Sequence, residues 1–397
     1  MKLPLQGIRV VEFCHMVMGP TCGLVLADLG AEVIKVEPVA GDNTRRLTGS
    51  GAGFFAAFNR NKKSLALDLK DGQAMAAVRA LVAQADVVSE NFRPGAMEAL
   101  GLGAEALRQV KPDLIYVSHK GFLAGPYAQR TALDEVVQMM AGLAYMTGPP
   151  GRPLRAGSSV NDIMGGLFGA LGAVAALYQR DAARTKGEAA IGHRIDSGLF
   201  ENCVFLMAQH MMQFAVSGQP AAPMPARAPA WGIYDVFLLG DGAQLFLAVV
   251  SDTQWQAFCT ALARADWLAD ARLATNPLRV AARDWLLPQV AAALGTRLQA
   301  EVVGLAMRAG LPWAPIRRPE DLFDDPHLAA SGGLAPMRLP SGATTAVPLL
   351  PMALDGARLP LRSAPPQVGE HTREVLTAVG LAPAAIEALI ARGVAAG

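Results

Sequence analysis

The chain reads as an α/β protein: a doubly wound parallel sheet in a large domain, with a smaller α+β domain attached. Three observations predict this. In the N-terminal half, short β-branched runs alternate with helical stretches, and strands spaced by helices pair in parallel through right-handed crossovers. At 397 residues, the chain is longer than one hydrophobic core usually organises, so a second domain is expected. A proline-rich passage from Gly218 to Pro229 then separates that half from a region of different character.

Ile8 to Phe13 is a first strand. Pro20 to Leu29 follows as a helix, with Pro20 in its first turn and Gly30 at its C-cap. Ala31 to Glu37 is the second strand. The pattern repeats in a strand at Ser64 to Leu69, a helix at Gly72 to Ala83, and a strand at Asp86 to Glu90. A helical stretch from Ala104 to Val110 and a strand from Asp113 to His119 complete the alternation. Residues 1–217 are thus assigned to the large domain, 218–230 to a linker, 231–330 to the small domain, 331–350 to a second linker, and 351–397 to a return to the large domain. In the small domain, Trp231 to Phe237 and Gln244 to Val250 read as strands. Gln254 to Leu262, Ala281 to Leu294 and Gln299 to Ala309 read as helices. Trp231, Trp255, Trp267, Trp285 and Trp313 fall there as core and interface anchors.

Composition excludes several classes. A net charge of +1 with 52% hydrophobic residues gives no basic excess for nucleic acid or an anionic membrane. The longest apolar run falls short of a membrane span, and no signal peptide leads the chain, so a cytoplasmic protein is expected. Cys14, Cys22, Cys203 and Cys259 lie in apolar surroundings without C-x-x-C spacing, which suits reduced core thiols rather than disulfides or a metal site.

In a doubly wound sheet, ligands bind beyond the C-terminal ends of the strands. The loop after the first strand, Cys14 to Pro20, lacks the G-x-G-x-x-G of a dinucleotide site, and no P-loop appears. Three other loops present cations or amides suited to a phosphorylated, adenine-bearing ligand: Asn59 to Ser64, Glu90 to Gly95, and Ser118 to Phe122. The sharpest single feature is Ser158-Ser159-Val160-Asn161-Asp162, which opens into an apolar helix. Asp162 stands at the loop-to-helix change, where an aspartate is either an N-cap or a reactive carboxylate at the positive end of a helix dipole. Gly165 and Gly166 in the following turn cost roughly 1 kcal/mol each against alanine, which implies that something approaches the backbone closely.

The residues also carry a resemblance. Gly19-Pro20, the run from Ala27 to Glu37, Gly41-Asp42 with Thr44-Arg45, Asn61-Lys62-Lys63-Ser64, Glu90-Asn91-Phe92 and Gly369-Glu370-His371-Thr372 resemble the family III CoA-transferases, which include formyl-CoA and carnitine CoA-transferases. The likeness runs from about residue 7 to 380. It implies transfer of CoA from an acyl-CoA to a free carboxylic acid, with no metal and no cofactor beyond CoA as co-substrate, in an interlocked homodimer. It also places the nucleophilic aspartate of the family on Asp162. Backbone N–H groups near Gly165 and Gly166 would then serve as oxyanion donors. Asn91, Phe92, Lys120 and Lys62 would hold the nucleotide and pantetheine, and Met16 and Val17 would lie near the acyl group.

Two departures narrow the substrate. Val17 stands where formyl-CoA transferases carry glutamine, and their glycine-rich loop in the smaller domain is missing. Related 2-methylacyl-CoA racemases use a histidine where this chain has Leu133, and leucine relays no proton. A racemase and a non-catalytic acyl-CoA-binding protein remain the alternatives. Asp134 either orients substrate or caps the helix that follows it. Arg45, Arg46, Arg152 and Arg155 either clamp the second carboxylate of a small dicarboxylic acid, with succinyl-CoA as the expected donor, or hold CoA phosphates, or are simply solvated.

Overall fold

Val10, Val11 and Phe13 are fully buried, as befits a strand covered on both faces. This strand, β1 (Arg9–Phe13), lies at the centre of a sheet with β2 (Glu32–Glu37), β3 (Lys62–Leu67), β4 (Val87–Glu90), β5 (Ile115–Lys120) and β6 (Arg194–Gly198). These six are parallel, in the order β3-β2-β1-β4-β5-β6. Ala395–Ala396 adds an antiparallel edge beside β3. The order reverses between β1 and β4, so a crevice opens there at the strand C-terminal ends.

The computed structural model describes residues 2–227, 229–339 and 341–397. Met1 lies outside the described residues, as do Ala228 and Pro340 within the two expected linkers. The chain divides into two compact units, Met1–Pro225 with Pro326–Gly397, and Ala226–Asp325.

In the first unit, neighbouring residues of each strand go to opposite cores. Val10, Val33, Val87 and Ile115 face one cluster, and Val11, Ile34, Val88 and Tyr116 the other, the two-residue period of a pleated strand. The helices that matter here are α1 (Met18–Asp28), α2 (Gly72–Ala83), α3 (Asp134–Met140), α4 (Val160–Thr185) and α5 (Leu199–Ser217). α2 covers the expected residues because Asp71 accepts hydrogen bonds from the Gln73 and Ala74 N–H groups. α1 ends at Leu29 with Gly30 at φ +110°, a left-handed position that glycine fills without strain.

α4 has 26 residues and reaches the length and apolarity of a membrane span, contrary to the expectation that no stretch would. It packs on α1 through small residues. A Cβ on Gly166 would lie 2.5 Å from the Met18 carbonyl oxygen, and one on Gly165 would lie 2.3 Å from Met18 Cε. The close approach implied by these glycines is therefore that of a neighbouring helix.

The second unit pairs β7 (Ile233–Leu238), β8 (Gln244–Val249) and β9 (Trp313–Pro315) antiparallel, and its core includes residues from three helices, 252–261, 283–294 and 299–308. Trp255 and Trp267 stack at 6.0 Å in this core, whereas Trp285 is 39% exposed. Residues 331–350, expected as a linker, instead carry the hairpin β10 (Leu334–Arg338) and β11 (Thr344–Pro348) within the first unit.

Candidate active site

Asp162 is the third residue of α4. The N-cap is Ser159, whose side chain makes no capping bond, so the expected capping role does not fall on Asp162. Asp134, the first residue of α3, takes it over. Its Oδ2 accepts the N–H groups of Asn161 at 2.8 Å and Asp162 at 3.0 Å. Its Oδ1 accepts from Gln138 Nε2, and Gln138 Oε1 in turn accepts the Ala156 N–H at 2.7 Å. Asp134 is buried, and it holds a different helix from the one it begins. It is thereby a positioning residue for the turn that carries Asp162.

That arrangement leaves Asp162 electrostatically exposed. Among the described residues none donates a hydrogen bond to its carboxylate. Burial, then the negative charge of Asp134, push its pKa up to about 7, against the pull of the Arg155 cation. A carboxylate without donors and with raised basicity is a better nucleophile than an ordinary solvated aspartate.

Beside it lies a cavity of about 450 Å³ walled by Phe54, Phe58, Ile163, Ser159 and Arg155. Ser159, Asp162 and Ile163 are spaced i, i+3, i+4, so Asp162 shares the helix face that walls the cavity.

Gly165 and Gly166 do not serve as oxyanion donors. They lie one turn inside α4, where each N–H is committed to the carbonyl four residues back. The free donors of the first turn are also taken, by Asp134 and by the Ser158 and Ser159 carbonyls.

Several loop residues meet at the switch point. Asn91 brackets His15, donating to its carbonyl at 2.7 Å and accepting its N–H at 3.0 Å, and Phe92 stacks on the His15 ring at 5.9 Å. Met16, at φ +62° and 39% exposed, donates its N–H to Thr44 Oγ1. Val17 has a buried side chain, so at this loop the exposed surface is that of Met16. Lys120 Nζ donates to Glu90 Oε1 at 2.8 Å and to the Phe92 carbonyl at 3.3 Å.

Glu90 also accepts from Ser118 and from the Phe92 N–H, which makes it the hub that shapes this loop. Sequence reasoning missed that role, although an acid at the end of a buried strand was the available signal. It also missed a second cavity of about 420 Å³ over the ends of β1 to β3, walled by Val36, Pro38, Leu69, Leu100 and Phe92 with Lys70 alongside.

Two expected ligand contacts are corrected. Lys62 is buried, and its Nζ donates to both Glu12 oxygens and the Pro20 carbonyl at 2.9 Å and to Asn59 at 3.2 Å. It neutralises a fully buried glutamate and has no access to a nucleotide. Arg45 forks onto Glu37 at 2.6 and 2.9 Å, donates to the Pro366 carbonyl at 2.8 Å and stacks on Phe55. Its charge is paired with a buried glutamate, and each of its three nitrogens already donates. Leu133, at the histidine position of the racemases, is 62% exposed and offers no proton relay.

Comparison with known proteins follows the same direction. The family model described as CoA-transferase family III matches residues 5–372. A succinate–glutarate CoA-transferase of Agrobacterium fabrum is 34% identical over 94% of this chain and 95% of its own length. The succinyl-CoA:glutarate CoA-transferase of Mus musculus is 32% identical over 98% and 90%. The crystal structure of a CaiB/BaiF family protein from Brucella suis superposes with a TM-score of 0.86 at 33% identity, covering 96% of this chain and all of that one. With that fold, a basic and unpaired carboxylate at its cavity and a match along nearly its whole length, the chain belongs to CoA-transferase family III.

Proposed function

We propose that the enzyme moves CoA from succinyl-CoA, or a close analogue, to a short dicarboxylic acid, with Asp162 as the nucleophile and CoA the only co-substrate. The observation that carries this reading is the Asp162 carboxylate, which lacks donors and has its pKa raised to about 7, beside a cavity walled by its helix neighbours Ser159 and Ile163. The succinate and glutarate in the names of the Agrobacterium and mouse relatives support the substrate class.

The chemistry balances without an external acid or base. The Asp162 carboxylate attacks the thioester carbonyl, the C–S bond breaks, and CoA leaves as thiolate from a mixed anhydride. The thiolate attacks the aspartyl carbon, the donor departs as a carboxylate, and Asp162 holds CoA as a thioester. The acceptor carboxylate then attacks that same carbon and expels the thiolate, giving a second anhydride. Attack of the thiolate on the acceptor carbonyl yields the new acyl-CoA and restores the Asp162 carboxylate.

For CoA itself, the slot over β1 to β3 offers apolar walls for an adenine, and its lining holds the Lys70 cation for phosphate together with the acids Glu37 and Asp68. The Asn91–His15 contact borders the crevice along which pantetheine would run. An acceptor panel with succinyl-CoA, read by mass spectrometry of the CoA products, tests the reading. CoA esters of diacids are expected, and consumption of succinyl-CoA only by hydrolysis would overturn it.

A further inference from the structure

Of the four arginines near the site, three are unsuited to binding a substrate anion. Arg45 is spent on Glu37, and Arg46 donates to the Ala40 carbonyl and to Asn43, both at 2.6 Å. Arg152 is exposed and lies outside the cavity wall. Arg155 differs from all of them. Its Nε donates to the Ala156 carbonyl at 3.1 Å. Its Nη2 and Nη1 stand 3.8 Å from Asp134 and Glu135, beyond hydrogen-bond reach. The guanidinium is thus held in place at its base with both terminal nitrogens free, and it is the one charged residue among those that line the cavity.

Resting on the transferase reading above, we propose that Arg155 is the receptor for the second carboxylate of the diacid and sets the preference for dicarboxylic over monocarboxylic substrates. The planar fork matches a carboxylate bidentately. Phe54, Phe58 and Ile163 supply apolar wall for the intervening methylenes. The reacting carboxyl then lies toward Asp162, which shares the first turn of α4 with Ile163. The two acids beside Arg155 hold its charge in place without satisfying its donors, so an incoming carboxylate gains hydrogen bonds that no protein group has to give up.

The test compares kcat/KM for glutarate and for pentanoate, acids of equal chain length, with succinyl-CoA as donor at one pH. Working at one pH cancels any effect of Arg155 on the basicity of Asp162. Wild type is expected to favour the diacid by roughly a hundredfold or more, since a site built for a charged partner rejects the analogue that lacks it. Arg155→Met should bring the ratio down at least tenfold. Arg155→Lys, which keeps the charge but loses the fork, should fall between the two, and it decides the matter alone if the methionine variant does not fold. A wild-type ratio near one, or a ratio unchanged in the variants, overturns the clamp while leaving the transferase intact. Wild type that transfers CoA to neither of these acids nor to any other short diacid overturns the diacid reading and the clamp together.

Discussion

The raised basicity of Asp162 comes at the expense of stability. Its carboxyl pKa is about 7 in the folded chain against an ordinary value of 3.8, so the folded state holds the proton more tightly than the unfolded state does. Ionising it therefore destabilises the fold. The penalty is absent below about pH 4, grows between pH 4 and 7, and is complete above pH 7, with an upper bound of roughly 4 kcal/mol. Asp162→Asn removes the charge, keeps the backbone N–H that Asp134 accepts, and relieves the repulsion between the two carboxylates. The variant is expected to melt at a higher temperature than wild type at pH 8, with the difference closing towards pH 4, and to lose CoA transfer by several orders of magnitude. Equal melting temperatures at pH 8 would show that the carboxylate is not under electrostatic strain.

At the scale of elements, the contact between α1 and α4 fixes where that carboxylate stands. Gly166→Ala would ordinarily gain about 1 kcal/mol of helix propensity. Here its Cβ would meet the Met18 carbonyl oxygen and Thr21 Cβ, each at 2.5 Å. Backbone cannot rotate aside as a side chain can, and overpacking costs about 1–3 kcal/mol. A lower melting temperature is therefore expected despite the better helix former, and a higher one would contradict the packing described.

Such elements were legible in the sequence where the pattern is local. α2 matched its residues because Asp71 caps it, and the alternating strands gave the doubly wound sheet. Asp162 stood out because a polar stretch turns abruptly into an apolar helix. What stayed hidden depends on residues distant in sequence. Asp134 caps a helix that begins 26 residues later, Lys62 is claimed by Glu12 across the sheet, and Arg45 by Glu37. Only three-dimensional pairing separates Arg155, with its free fork, from Arg45, whose donors are satisfied. Gly165 and Gly166 gave a true signal of close approach, but one-dimensional information could not tell a ligand from a helix.

At the scale of the whole molecule, the apolar residues exposed on α5 need a cover. Phe205 is 66% exposed, Phe214 56% and Val216 88%, a density unusual on a solvated helix. We propose that a second copy of the chain covers them in a homodimer, as the interlocked assembly implied by the family resemblance would provide. Light scattering at nanomolar concentration is expected to give twice the 41.6 kDa chain mass, because threaded chains do not part on dilution. A 41.6 kDa particle would contradict it.

The proposed mechanism requires Asp162 to exchange an oxygen with the acid it serves. When the acceptor carboxylate attacks the aspartyl carbon and the thiolate later cleaves the anhydride at the acceptor side, the bridging oxygen stays on Asp162. Turnover of succinyl-CoA with an acceptor labelled with oxygen-18 in its carboxyl groups, followed by peptide mass spectrometry, measures this directly. The expected result is heavy oxygen on the peptide carrying Asp162, one atom after a single turnover and up to two after many, and none on other acidic residues. Full turnover with an unlabelled Asp162, or with label on another carboxylate, would contradict the assignment.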